Sequence, residues 1–136
     1  MKRKWEKGMY IIVTNNNLCY NKYRDNITVD YLENSTYLEV LTKVRDYIHK
    51  GYCLETHPMA GSLKPNQIPY KSVIISDRKA EQEELFEFTM IIENGITLCK
   101  EFMKDKPTPD WNEALCEDFR IVDLSLIESV ADRLKA

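Results

Sequence analysis

The run Tyr37-Leu38-Glu39-Val40-Leu41-Thr42-Lys43-Val44-Arg45-Asp46-Tyr47-Ile48-His49-Lys50-Gly51-Tyr52-Cys53-Leu54-Glu55-Thr56 decides the fold class. Tyr37, Leu41, Val44 and Ile48 recur at helical spacing and line one apolar face, while Lys43, Arg45 and Lys50 turn to water. Asn34 or Ser35 is placed to cap this helix, with Glu39 near capping-box spacing. Gly51 supplies the left-handed residue that ends it. Residues 52–56 then read as a strand. A helix that stops on glycine and passes directly into a strand is the repeating unit of an α/β layer.

Working outward, the same alternation continues. Residues 9–14 hold the β-branched run Ile11-Ile12-Val13 and read as a buried first strand. Residues 18–24 suit a turn or two of helix, and residues 27–32 alternate as a second strand. Downstream, residues 72–76 (Ser72-Val73-Ile74-Ile75-Ser76) form another strand. A long helix begins at Arg78, with Glu81, Glu83 and Glu84 set against its dipole. Its core stripe is Leu85, Phe88, Ile92, Gly95 or Ile96, Cys99 and Phe102, and Asn94-Gly95 is the point where it can kink or break. Pro107-Thr108-Pro109 ends that helix. Asp110 is then placed to cap a short helix over residues 111–116, residues 119–122 (Phe119-Arg120-Ile121-Val122) read as an edge strand, and residues 124–134 as a closing helix. The expectation is a single α/β domain over residues 1–136, with a mostly parallel sheet of four or five strands flanked by helices and a basic, flexible tail at residues 1–8.

In sheets of that kind ligands gather beyond the carboxyl ends of strands. Two polar segments follow strands directly: Thr14-Asn15-Asn16-Asn17, and the long connection that starts at His57. If their strands run the same way, both segments meet at one rim. The connection over residues 57–71 is stiffened by Pro58, Pro65 and Pro69, and connections this long in compact domains are commonly functional. His57 can act as acid or base near neutral pH. Gly61-Ser62-Leu63-Lys64 brings a flexible backbone, a hydroxyl and a charge, the parts of an anion site. Asn66 follows Pro65 as a turn residue, and Tyr70, Lys71 and Ser72 lead into the next strand. Asn15, Asn16, His57, Ser62, Lys64, Asn66 and Lys71 are therefore the candidate ligand-binding residues, and His57 is the candidate catalytic residue.

Composition narrows the function classes. The chain has 136 residues, net charge -3, and 43% hydrophobic and 30% charged residues, which is ordinary globular chemistry without a general attraction to nucleic acid. The apolar run after the basic start ends at Thr14-Asn15-Asn16-Asn17, too soon for a signal peptide, and no later run spans a bilayer. A cytoplasmic location is expected. Cys19, Cys53, Cys99 and Cys116 are far apart with no C-x-x-C, so reduced thiols are expected in place of a zinc site, and no metal or cofactor is implied. No Walker loop and no G-x-S-x-G elbow is present. The 57–71 connection carries no pair of carboxylates of the kind glycosidases use.

Several of these segments together resemble the GrdX family. The similar residues are Thr14-Asn15-Asn16, Val40-Leu41, the run from Val44 to Gly51, Thr56-His57-Pro58, Gly61-Ser62, Lys64-Pro65-Asn66, Pro69-Tyr70-Lys71-Ser72 and Ile121-Val122-Asp123-Leu124-Ser125-Leu126. The likeness runs over about residues 9–130. The family pattern has a proline where this chain has Asn17. The resemblance implies a small bacterial protein encoded beside components of glycine, sarcosine or betaine reductase in amino-acid-fermenting anaerobes. It carries over no activity and no catalytic residue. The expected function is an accessory protein of an amino-acid reductase system. It would bind a small anionic metabolite, or a partner such as a reductase component, through residues 57–72. The alternative is a small enzyme using His57 as general acid or base on an acyl or phosphoryl substrate. A third reading is a purely structural partner or chaperone, with the loop as its interaction surface.

Overall fold

In the computed structural model, residues 9–59 and 64–134 are described. Strand β1 (Tyr10–Thr14) leads into the short helix α1 (Asn17–Tyr23) and strand β2 (Thr28–Tyr31). Helix α2 (Tyr37–His49) then leads into β3 (Cys53–Leu54), and β4 (Ser72–Ser76) precedes two long helices, α3 (Gln82–Asp105) and α4 (Glu113–Leu134). The four strands lie in the order β2-β1-β4-β3.

The sheet is mixed, which corrects the expectation of a mostly parallel one. β1 pairs with β2 in parallel, but β4 is antiparallel to both β1 and β3. The connections explain this. A helix follows β1 and another follows β2, and a helical crossover returns the chain to start the next strand in the same direction. Among the described residues, the step from β3 to β4 holds no helix. The chain there turns back, so β4 reverses and inserts between β1 and β3. β1, β2 and β3 still point the same way, and their carboxyl ends share one rim with the start of β4.

Strand periodicity divides the interior in two. Ile11, Val13, Val73 and Ile75 meet Val40, Leu41, Val44, Ile92 and Ile96 from α2 and α3 on one face. Ile12 and Ile74 meet Cys19, Tyr23, Ile127 and Ala131 from α1 and α4 on the other. Burying an isoleucine or valine of this kind is worth about 1.5–3 kcal/mol, so both helical layers are held to the sheet by its β-branched strands.

The local signals mostly act as the sequence implies. α2 begins with a complete capping box, but its cap is Thr36, not Asn34 or Ser35. Gly51 has φ of 100°, the conformation that a Cβ would strain. α3 runs through Asn94-Gly95 without a break. Gly95 is buried because Met59 packs over it, and a Cβ there would stand 3.4 Å from Met59 Sδ. The second correction concerns residues 113–134, which form one continuous helix with no edge strand at 119–122. Asn112, not Asp110, caps it, its Oδ1 accepting from Leu115 N–H at 2.9 Å. Among the described residues no helix is long and apolar enough to cross a membrane. Residues 1–8, expected as a basic tail, lie outside the described residues.

Candidate functional site

The shared rim is built first from Asn15, just past the end of β1. Its Nδ2 donates to Ser35 O at 2.8 Å and Pro69 O at 2.9 Å, and its Oδ1 accepts from Lys71 N–H at 2.9 Å. One side chain thus ties three chain segments together. Both amide hydrogens are used, so Asn15 has no donor left for an anion.

Asn16 does the same for α4. Its Oδ1 caps α1 by accepting from Leu18 N–H, and its Nδ2 donates to Arg120 O at 2.9 Å and Asp123 Oδ2 at 3.0 Å. Asp123 is buried and is the end point of a directed chain. Ser72 Oγ donates to Asp123 Oδ2 at 2.6 Å, which uses its only hydrogen. Thr14 Oγ1, 2.6 Å from Ser72 Oγ, must therefore donate to it, and itself accepts from Asn16 N–H at 2.9 Å. Cys19 Sγ lies 3.2 Å from the same Ser72 oxygen. Burial pushes the Asp123 carboxyl above the usual carboxylate range, while hydrogen bonds from Ser72 and Asn16 and the charge of Lys71 oppose that. Burial and the neighbouring Asp123 push the Cys19 thiol up to about 12, so it stays protonated as a weak donor. This cluster locks α4 to the sheet end and leaves no exposed nucleophile.

Outside the lock lies a cleft of about 440 Å³. Asn15 and Asn17 border it from beyond the end of β1, Tyr31 and Glu33 from the end of β2, Tyr70 from just before β4, and Glu113 and Arg120 from α4. Arg120 is its organising group. The side chain is only 12% exposed. Nη1 donates to Tyr70 OH at 2.7 Å, and Nε and Nη2 donate to Glu117 Oε2 at 3.1 and 2.7 Å. Nη2 also bonds Glu113 Oε1. The guanidinium lies over the Tyr70 ring, 5.3 Å from its centroid. Tyr31 is fixed from behind by stacking on Tyr20, with ring centroids 4.7 Å apart. Asn34, also at the rim, has φ of 62°, the only positive φ outside glycine among the described residues. A smaller cavity of about 130 Å³ adjoins the cleft across Tyr70, bordered by Ile68, Phe119, Val122 and Leu126 and by the buried pair Lys71 and Asp123.

The seven residues singled out from sequence separate in space. Asn15, Asn16 and Lys71 come together at the rim. Lys71 is 2% exposed, its ammonium lies 6.0 Å from the Tyr37 ring centroid, and the residue borders the smaller cavity and not the cleft. Burial pulls its pKa down to about 8 against the opposing charge of Asp123. Asn66 is buried where the loop meets the end of α3, its Nδ2 donating to Lys106 O at 2.8 Å. His57 is exposed, and its Nδ1 accepts from Met59 N–H at 3.0 Å. Lys64 is exposed and borders neither cavity. Ser62 lies outside the described residues. The group best placed to meet a ligand, Arg120, went unmarked because its segment reads as a strand. One signal was available: Asp123, Ile127 and Ala131 share helical spacing, which puts a carboxylate on an apolar stripe and marks a helix with a polar anchor.

These features define a small α/β protein with a locked sheet end and a polar rim cleft organised by one arginine. The chain belongs to the GrdX-like family, whose family model matches residues 11–132. Membership implies an association with glycine reductase-related systems. No curated protein and no solved structure matches the chain.

Proposed function

We propose that this protein is an accessory component of a glycine reductase-related system and that its rim cleft holds a small metabolite bearing a carboxylate. The observation that carries this reading is Arg120: a nearly buried guanidinium, fixed by Tyr70 and Glu117, at the border of a cleft of about 440 Å³. A fixed planar fork of donors is the group that recognises carboxylates in two-point fashion. Cavities of this volume suit small molecules. Asn15 and Asn16 frame the site by holding Pro69, Lys71 and α4 in place, and the donors that face the ligand come from Arg120 and Asn17. The test is an NMR titration of the full chain with small carboxylates. Shifts are expected at Arg120, Tyr70 and Asn17, and Arg120→Met weakens binding at least tenfold. Equal binding by the Arg120→Met protein overturns the reading.

A further inference from the structure

We infer that the cleft selects a zwitterion, an α-amino acid, and that Glu113 is a placeholder for the ligand's carboxylate. This rests on the reading that the cleft binds a small carboxylate. Two observations carry it.

The first is the asymmetry around Arg120. Tyr70 and Glu117 hold the guanidinium by three bonds, two of them from Glu117, whose side chain is 48% exposed. Glu113 adds a single bond, to Nη2, and is the more open of the two carboxylates, its side chain 81% exposed. A carboxylate that open to water is held weakly, because solvent screens the pair and the long side chain loses freedom in making it. Of the five guanidinium hydrogens, four are engaged: one from Nε, one from Nη1 and two from Nη2. When Glu113 swings away, Nη1 and Nη2 each present one N–H. That pair is the fork a carboxylate accepts through both oxygens. Glu113 sits in the first turn of α4 with its side chain 81% exposed, so it can swing away into water.

The second is a further carboxylate at the border of the cleft. Glu33 borders the cleft beside Tyr31, whose ring is already immobilised on Tyr20. A carboxylate and an aromatic face side by side attract an ammonium group. A plain anion entering here meets Glu33 and Glu113 beside a single arginine. An amino acid answers both signs: its carboxylate replaces Glu113 on Arg120, and its ammonium faces Glu33 and the Tyr31 ring.

The experiment uses the full chain and calorimetry at low salt. The probes are the standard amino acids, each beside its counterpart lacking the amino group, for example glycine beside acetate. At least one amino acid is expected to bind tenfold or more tightly than its des-amino counterpart. Glu113→Gln should tighten it three- to fivefold, and Glu33→Gln should bring the pair close to equal affinity. Amide NMR spectra of both variants check that the fold is kept. Equal binding of amino acid and des-amino counterpart by the unmodified protein, or weaker binding in Glu113→Gln, overturns the inference. In that case the carboxylate cleft still stands if Arg120→Met abolishes binding. If no probe binds at all, the inference and the cleft reading fall together.

Discussion

Asn15 shows how a polar side chain that invites a functional reading can be used entirely by the fold. Its carbonyl and both amide hydrogens go to main-chain groups of Ser35, Pro69 and Lys71. Truncation leaves those groups unpaired in a buried setting, and each such loss costs about 1–3 kcal/mol. Asn15→Ala should therefore destabilise by about 3 kcal/mol in urea titrations. Asn15→Asp should be at least as damaging at pH 7, since it turns a carboxylate oxygen towards two carbonyls. A loss under 1 kcal/mol in both variants contradicts the tie. The three asparagines could be singled out from sequence because they exceed what one turn needs. Their partners could not, because Ser35 and Pro69 are brought beside Asn15 only by strand order. The same limit hid Arg120, whose importance comes from Tyr70, fifty residues earlier in the chain.

Elements with one apolar stripe were legible and the element with two was not. In α2, Val40, Leu41, Val44 and Ile48 are buried on one side, and a cap and a glycine stop bracket the pattern. Thr36→Ala should cost about 1 kcal/mol, as loss of an N-cap does, and Glu39→Gln should cost less because an amide oxygen can still close the box. Urea midpoints of the two variants check the order. α4 differs. Asp123, Ile127 and Ala131 face the sheet, while Ile121, Val122 and Leu126 are 51%, 55% and 41% exposed. Apolar residues on two sides blur the helical period, and the β-branched pair Ile121-Val122 favours a strand by local preference. The buried lock at Asp123 and the packing of Ile127 and Ala131 override that preference. Strand positions were likewise readable from β-branched runs, but their directions follow from what lies between them. Among the described residues no helix lies between β3 and β4, which is the feature that goes with the reversal.

At the scale of the whole molecule, the interior holds several ionisable groups whose titration is set by burial, and their sum shapes alkaline stability. Burial raises the thiols of Cys19, Cys53 and Cys99, with Cys19 reaching about 12. Tyr23 and Tyr47 are also raised, by burial and by hydrogen bonds to Asp132 and Asp30. For each of these the unfolded chain gives up its proton first as pH climbs. The stabilising contribution is complete below the unfolded pKa, near 9.0 for cysteine and 10.0 for tyrosine, and is lost as pH rises towards the folded value. Lys71 has the opposite sign. Its folded pKa is about 8 against 10.5 unfolded, so between those values the unfolded chain holds more protons and stability rises with pH. From pH 8 to 9 Lys71 acts almost alone, and above pH 9 the thiols and then the tyrosines oppose it. Stability, measured as the urea midpoint under reducing conditions, should pass through a shallow maximum near pH 9 and then fall. Lys71→Met should remove the rise, whatever its absolute stability. Cys19→Ala should flatten the fall, by up to about 4 kcal/mol if the whole shift is expressed. An alkaline limb that is identical with and without Cys19 would mean that this thiol is wetter than its place between α1, Ser72 and Asp123 requires, and the lock at the sheet end would have to be looser than drawn.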